Sequence, residues 1–265
     1  MNKRLEPDDE VTLDAPSRPT SLRIQYTTTR VLRESASIAR RNPGVVGIDR
    51  SPLTEAFKLL RAQLLQRMRA GGWNTVAVTS VRPTESKSTA TINLALSIAA
   101  ELDKTALLVD ADLVTPHVDA FFGLHGAPGL TDHLLDSLPL KDLIVNPGID
   151  HLVILPAGRI VANSSELLAT HAVSDLIAEL KGRYPERYII FDSPAVLSAD
   201  GLSLFEKVDA ILLVAERNQT TRRDLEECAT VLSRFNVIGS VLCEPIPTEK
   251  DALPAKSRRS VLRRR

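Results

Sequence analysis

Residues 75–101 read TVAVTSVRPTESKSTATINLALSIAAE, and the fold turns on them. Thr75 to Ser80 have the β-branched, apolar composition of a buried strand, a polar turn follows, and Lys87 with Ser88 opens a stretch of helical apolar spacing. The first turn of a helix leaves backbone N–H groups without partners, and together with the helix dipole they favour an anion. Lys87 adds a point charge there, and Ser88 a hydroxyl able to ligate magnesium. This is the arrangement of a phosphate-binding loop, with Thr84, Glu85, Ser86, Lys87, Ser88 and Thr89 as the residues that would cradle a nucleotide. Two glycines are missing from it. Thr84 stands where such a loop commonly turns with glycine, and Ser86 stands directly before the lysine, where close approach of the backbone to phosphate normally excludes a side chain. For an isolated Ser-Lys-Ser the plain alternative is an ordinary β-turn-α connection carrying a solvent-facing lysine.

The rest of the chain argues against that alternative. Apolar runs of strand length recur at 105–110, 151–157, 188–194, 210–216 and 237–244. Helices are predicted at 53–69, 88–101, 164–183, 200–208 and 221–235. Strands separated by helix-sized connections predict an α/β fold, a mostly parallel sheet covered by helices on both faces. In such folds ligands bind outside the carboxyl ends of the strands. TALLVDAD puts Asp110 and Asp112 at one such end, and YIIFDSP puts Asp192 at another. Parallel strands would bring these carboxylates beside the loop, where Asp110 or Asp112 could engage Mg²⁺ or polarise a nucleophile, and Asp192 could hold the metal through water.

Composition narrows the function classes. Of 265 residues 43% are apolar, enough for one well-buried core, and only 12 are glycine, about 4.5% against a usual ~7%. The two cysteines, Cys228 and Cys243, are too few for a disulfide scaffold, and the five histidines show no metal-ligand spacing. No run approaches the roughly 18–20 apolar residues of a membrane helix, and a cytoplasmic location is expected. Lysine plus arginine balances aspartate plus glutamate at 33 each, but the last ten residues, KSRRSVLRRR, carry six of the basic ones. Neutrality is thus a mildly acidic body cancelled by a basic end. With no aromatic side chains to stack on bases, that end is not expected to bind nucleic acid; an anionic lipid, a polysaccharide or an acidic partner is the functional alternative to simple solubility. Three segments are expected: a polar leader over 1–50 with a short helix near 28–41, a folded domain over 51–245, and a flexible basic tail over 246–265.

The ordered series LTEAFKLLRAQL, SVRPTESKSTATINLALSIA, LLVDADLVTPHVDAFFGL, GLTDHLL, LPAG, SSELL and IIFDSPAVLSADGLSLFEKVDAILLVAE resembles the bacterial tyrosine kinases, P-loop proteins of the MinD-like class that act in capsule and exopolysaccharide biosynthesis. The resemblance covers about 51–244. It implies a P-loop NTPase-like fold, ATP and Mg²⁺ as ligands, a homo-oligomeric ring, and a membrane polysaccharide co-polymerase as partner, which would hold the protein peripherally at the inner membrane face. Residue by residue it implies that Lys87 contacts the β and γ phosphates, that Ser88 and Asp192 hold magnesium, and that Asp110 and Asp112 form the second acidic motif. Glu55, Lys58 and Arg61 fall on the family's Glu, Arg, Arg spacing at the subunit interface. Cys243 stands where the family has an asparagine that reads adenine. Val114 and Ala195 depart from a basic residue and a proline of the family pattern. The family phosphorylates a tyrosine-rich tail on a neighbouring subunit, but the tyrosines here are Tyr26, Tyr184 and Tyr188, so the acceptor is expected on another protein. The alternative expectation is a catalytically inactive regulatory paralogue that binds a co-polymerase or an active kinase.

Overall fold

The structure, a computed structural model, describes residues 30–32, 45–46, 51–183 and 186–244. Its centre is the predicted sheet. The strands are β1 (Arg30–Val31), β2 (Thr75–Ser80), β3 (Thr105–Asp110), β4 (Val145–Asn146), β5 (Leu152–Leu155), β6 (Arg187–Asp192), β7 (Ala210–Glu216) and β8 (Val237–Cys243), in the order β1-β4-β5-β3-β6-β2-β7-β8. Every pairing is parallel except β4 with β5. Strands buried on both faces need apolar residues at consecutive positions, which is why the runs read as continuous rather than alternating.

Alternate side chains feed two cores. Val76, Val78, Leu108 and Ile190 face one layer, which is closed by Leu64 and Met68 of helix α1 (Pro52–Gly71) and Ile98 of helix α2 (Glu85–Ala99). Ala77, Leu107, Val109 and Phe191 face the other, closed by Leu176 and Leu180 of a later helix and by Cys228. The helix boundaries follow from local chemistry. α1 starts where Ser51 accepts the Thr54 N–H at 3.1 Å with Pro52 in the first turn, and ends at Gly72, whose φ of +68° lets its N–H reach back to Arg69.

Two expectations change. The single helix over 164–183 is two helices, Ser164–Ala169 and His171–Arg183, because Thr170 takes an extended backbone and its hydroxyl bonds the Leu167 carbonyl at 2.8 Å. Within the segment expected to be helical near 28–41, Arg30–Val31 form an edge strand instead, registered against Val145 and Asn146, so the sheet recruits residues from the expected leader. The remainder of the leader and the basic tail lie outside the described residues.

The strand order sets up the site. β6 lies between β2 and β3, and β7 lies on the other side of β2, so the loop leaving β2 is flanked by the ends of β6 and β7, with the end of β3 one strand further on.

Candidate functional site

Strand β2 ends at Ser80, whose hydroxyl donates to the Arg82 carbonyl at 2.6 Å and starts the turn. Pro83 leads into Thr84, the N-cap of α2, whose side-chain oxygen accepts the Ser86 N–H at 3.3 Å. The helix therefore opens at Glu85, three residues before the predicted start at 88, and Lys87 and Ser88 lie inside its first turn. Thr84 has φ −156° and ψ 145°, extended backbone that any residue adopts. A threonine cap has replaced the glycine turn.

On the β3 and β6 side of this loop the predicted charged residues converge. Asp110 and Asp192 are register partners on adjacent strands. Lys87, 2% exposed, puts its Nζ 2.9 Å from Asp112 Oδ2 and 3.2 Å from Asp192 Oδ1. Ser88 donates to Asp192 Oδ2 at 2.6 Å, and the Thr91 hydroxyl lies 3.1 Å from Asp192 Oδ1 and 2.8 Å from the Lys87 carbonyl. Asp110 accepts the N–H groups of Asp112 at 3.1 Å and Val118 at 3.0 Å. Asp112 in turn accepts the N–H and hydroxyl of Thr115. Burial pushes the lysine pKa down, but the charges of Asp192, Asp112 and Asp110 outweigh it and hold Lys87 above its ordinary value. Burial and the facing Asp192 raise the Asp110 carboxyl well above the usual carboxylate range, against the pull of the Val118 N–H and Lys87.

Oxygen donors from Ser88 and Asp192, beside surplus carboxylate charge, are the chemistry of a hard cation such as Mg²⁺, which takes only one or two protein carboxylates and completes its shell with phosphate and water. No cluster of three or more His, Cys, Asp or Glu side chains arranged for a metal occurs among the described residues.

On the β7 side the loop meets residues that the motif reading missed. Ser86 donates to Glu216 Oε1 at 2.6 Å and Thr84 donates to Glu216 Oε2 at 2.8 Å. Arg82 reaches Asp224 at 2.6 Å, and Asp224 closes a reciprocal cap with Thr221 at the start of helix α3 (Arg222–Leu232); the Arg82 hydrogen bond first, and those with Thr221 next, hold the Asp224 carboxyl down to about 2. A cavity of about 160 Å³ lies here, lined by Arg82, Thr84, Glu216, Thr220 and Asp224 among others. That is below the roughly 300–1,000 Å³ of typical small-molecule sites. One signal would have found Glu216: it closes the apolar run AILLVAE as Asp110 and Asp192 close theirs.

Other predicted residues spread out. Cys243 is the register partner of Glu216 on β8, half-buried at the rim, with burial and the Glu216 charge pushing its thiol up to about 11. Glu85 and Thr89 stand in the first turns of α2. Glu55 and Lys58 pair with each other at 2.8 Å on an exposed face of α1. Arg61 does not join them outside. It donates to the Ser97 carbonyl at 2.7 Å and sits 2.9 Å from Glu101, holding α1 against the end of α2.

No family model matches the chain. It is 29% identical over 192 residues to the tyrosine-protein kinase YwqD of Bacillus subtilis, covering 71% of this chain and 80% of that one. It is 31% identical over 204 residues to the putative tyrosine-protein kinase EpsB of Ralstonia solanacearum, covering 76% of this chain. The chain spans about a quarter of the length of EpsB and of the Acinetobacter johnsonii kinase ptk. Among solved structures, the VpsO kinase domain superposes with a TM-score of 0.65 at 31% identity, over 73% of this chain and 95% of that one. The septum site-determining protein MinD of Pyrococcus horikoshii shares the fold, with a TM-score of 0.55 at 24% identity over 71% of this chain and 76% of that one.

Proposed function

The chain belongs to the bacterial tyrosine kinase family, and from that premise we propose that it is a MgATP-binding, kinase-like component of exopolysaccharide or capsule biosynthesis. The observation carrying this reading is the convergence of Lys87, Ser88, Asp110, Asp112 and Asp192 on one buried cluster. In this reading Lys87 balances phosphate charge, Ser88 and Asp192 hold the metal, and Asp112 positions the attacking hydroxyl. Bound magnesium supplies charge neutralisation of the phosphates. Asp110, holding its proton more tightly than an ordinary carboxyl, limits the negative charge that the incoming phosphates meet. Cys243 would leave adenine without the amide contact expected at that rim.

In this reading the acceptor is a tyrosine of another protein. Among the described residues the one tyrosine, Tyr188, is buried in β6. A partner protein at the membrane, the polysaccharide co-polymerase or an active kinase, fits that need. No helix among the described residues is long and apolar enough to cross a membrane, and in this reading the partner provides the attachment there. In a homo-oligomeric ring, Glu55 and Lys58 are the outward pair, and Arg61 would act by fixing the helix that carries them.

A second reading, a regulatory component without turnover, is favoured by the loop itself: Thr84 and Ser86 are both engaged by Glu216. A magnesium-dependent ATP titration, followed by phosphotyrosine mass spectrometry with a candidate partner, separates the two. Saturable binding that Ser88→Ala weakens, with phosphotyrosine formed, supports the first. Binding without transfer supports the second, and no binding at all overturns the nucleotide site.

A further inference from the structure

The loop's donors form a closed circuit. The Ser86 N–H, one of the amides a phosphate would use, donates to Thr84 Oγ1, and that hydroxyl donates onward to Glu216 Oε2. The Ser86 hydroxyl donates to the other oxygen, Oε1. The Lys87 N–H faces the Thr84 carbonyl at 3.4 Å. One carboxylate therefore accepts from both residues that stand where a phosphate loop has glycine, as a phosphate would accept from the loop. Glycine has no side chain to take part in such a contact, so the two substitutions and the acidic end of β7 make sense together.

We propose that Glu216 is an internal anion that latches the phosphate loop, holding Thr84 and Ser86 against the end of β7, and that the latch must open before a phosphate can engage the loop. Glu216 is then a positioning residue that sets anion affinity through Thr84 and Ser86. Two effects oppose an entering phosphate. The loop must give up charge-assisted hydrogen bonds, each stronger than a neutral one. A fixed negative charge also stands within a few ångströms of where further negative charge would arrive. β7 is a core strand pairing on both sides, so the anchor is rigid and the loop is the part that moves.

The affinity arm of the test rests on the nucleotide reading, and the exchange arm does not. In the full chain, Glu216→Gln keeps the size of the side chain but removes the charge, and Ser86→Ala releases the latch from its other end. Amide hydrogen exchange over 84–88 without nucleotide is expected to quicken about tenfold in either variant, and the dissociation constant for MgATP at fixed salt to fall about tenfold, the equivalent of about 1.4 kcal/mol. The double variant is expected to gain less than about threefold beyond the stronger single one, because both substitutions break one contact. A merely structural role would weaken binding. Unchanged exchange in both variants overturns the latch, as does wild-type binding that either substitution leaves unchanged or weakens. Faster exchange with no ATP binding in any variant keeps the latch and overturns the nucleotide reading. Should Glu216→Gln fail to fold, Ser86→Ala carries the same expectations.

Discussion

The two flanks of one loop, a few residues apart, are built on opposite principles. Toward β3 and β6, Lys87, Asp110, Asp112 and Asp192 sit out of water, with one ammonium among three acidic groups. Toward β7, the half-buried Glu216 serves Thr84 and Ser86, and the more exposed Arg82 is tied to Asp224. Buried charge is costly unless paired, and hydrophobic replacements of such pairs are often neutral or stabilising. The first flank is therefore hard to explain as a device for stability and easy to explain as a site. The second is inexpensive local bonding, and it restrains the same loop. The difference separates what a ligand would need from what holds the loop still.

The strongest way to break this contrast is Lys87→Ala. Removing the ammonium leaves Asp112 and Asp192 buried without a cation, and stability should fall by about 3–5 kcal/mol, read from urea midpoints. A loss below about 1 kcal/mol would mean that water already reaches the cluster. The same expectation makes Lys87→Ala a poor probe of chemistry, since lost folding and lost phosphate contact would look alike in an activity assay.

Protonation separates the flanks by sign. Asp110 binds its proton more tightly folded than unfolded, so from about pH 3.9 upward to its raised folded value the unfolded state releases that proton first and stability falls as pH rises. The ceiling on this slope is one proton, about 1.4 kcal/mol per pH unit. Asp224 is the reverse: its contribution is complete above about pH 3.9 and is lost as pH falls toward its folded value of about 2. Stability measured between pH 4.5 and 7.5 should therefore decline in the wild type by a component that Asp110→Asn abolishes. An equal slope in both proteins would place the proton elsewhere.

The β7 flank responds more weakly. Thr221→Ala removes the cap that orients Asp224 toward Arg82, and should cost about 1 kcal/mol, visible as a small fall in the thermal midpoint. Both flanks also show what a sequence can reveal. The first was legible because its residues follow local rules: Asp110 and Asp192 close apolar strands, and Lys87 precedes a helical stripe. Most strands were legible for the same reason. Glu216 obeys the same strand-end rule, yet its partners come from pairing β7 beside β2, a neighbour relation with over a hundred intervening residues that no local pattern encodes. Arg61 shows the converse. The resemblance places it at a subunit contact with Glu55 and Lys58, but its four-residue spacing from the buried Phe57 turns it to the inner side of α1, where the carbonyl of Ser97 and the carboxylate of Glu101 hold it.

The smallest effect sharpens the picture most cheaply, because each core-facing rim has its own thiol. Cys228 on α3 and Cys243 on β8 are both raised to about 11, first by burial and then by carboxylates: Glu227 and Asp224 for Cys228, Glu216 for Cys243. At pH 8 about one thiol in a thousand is ionised at such a value, so both should label slowly with a disulfide reagent. Glu216→Gln removes the one charge acting on Cys243 and should quicken its labelling by about two- to threefold, a modest change because burial is the larger cause. Cys228, fully buried and acted on by other charges than Glu216, should keep its rate and serves as the internal control. Equal acceleration at both thiols would mean that the substitution loosens the sheet rather than the loop's anchor, and the two flanks would then be one mechanical unit.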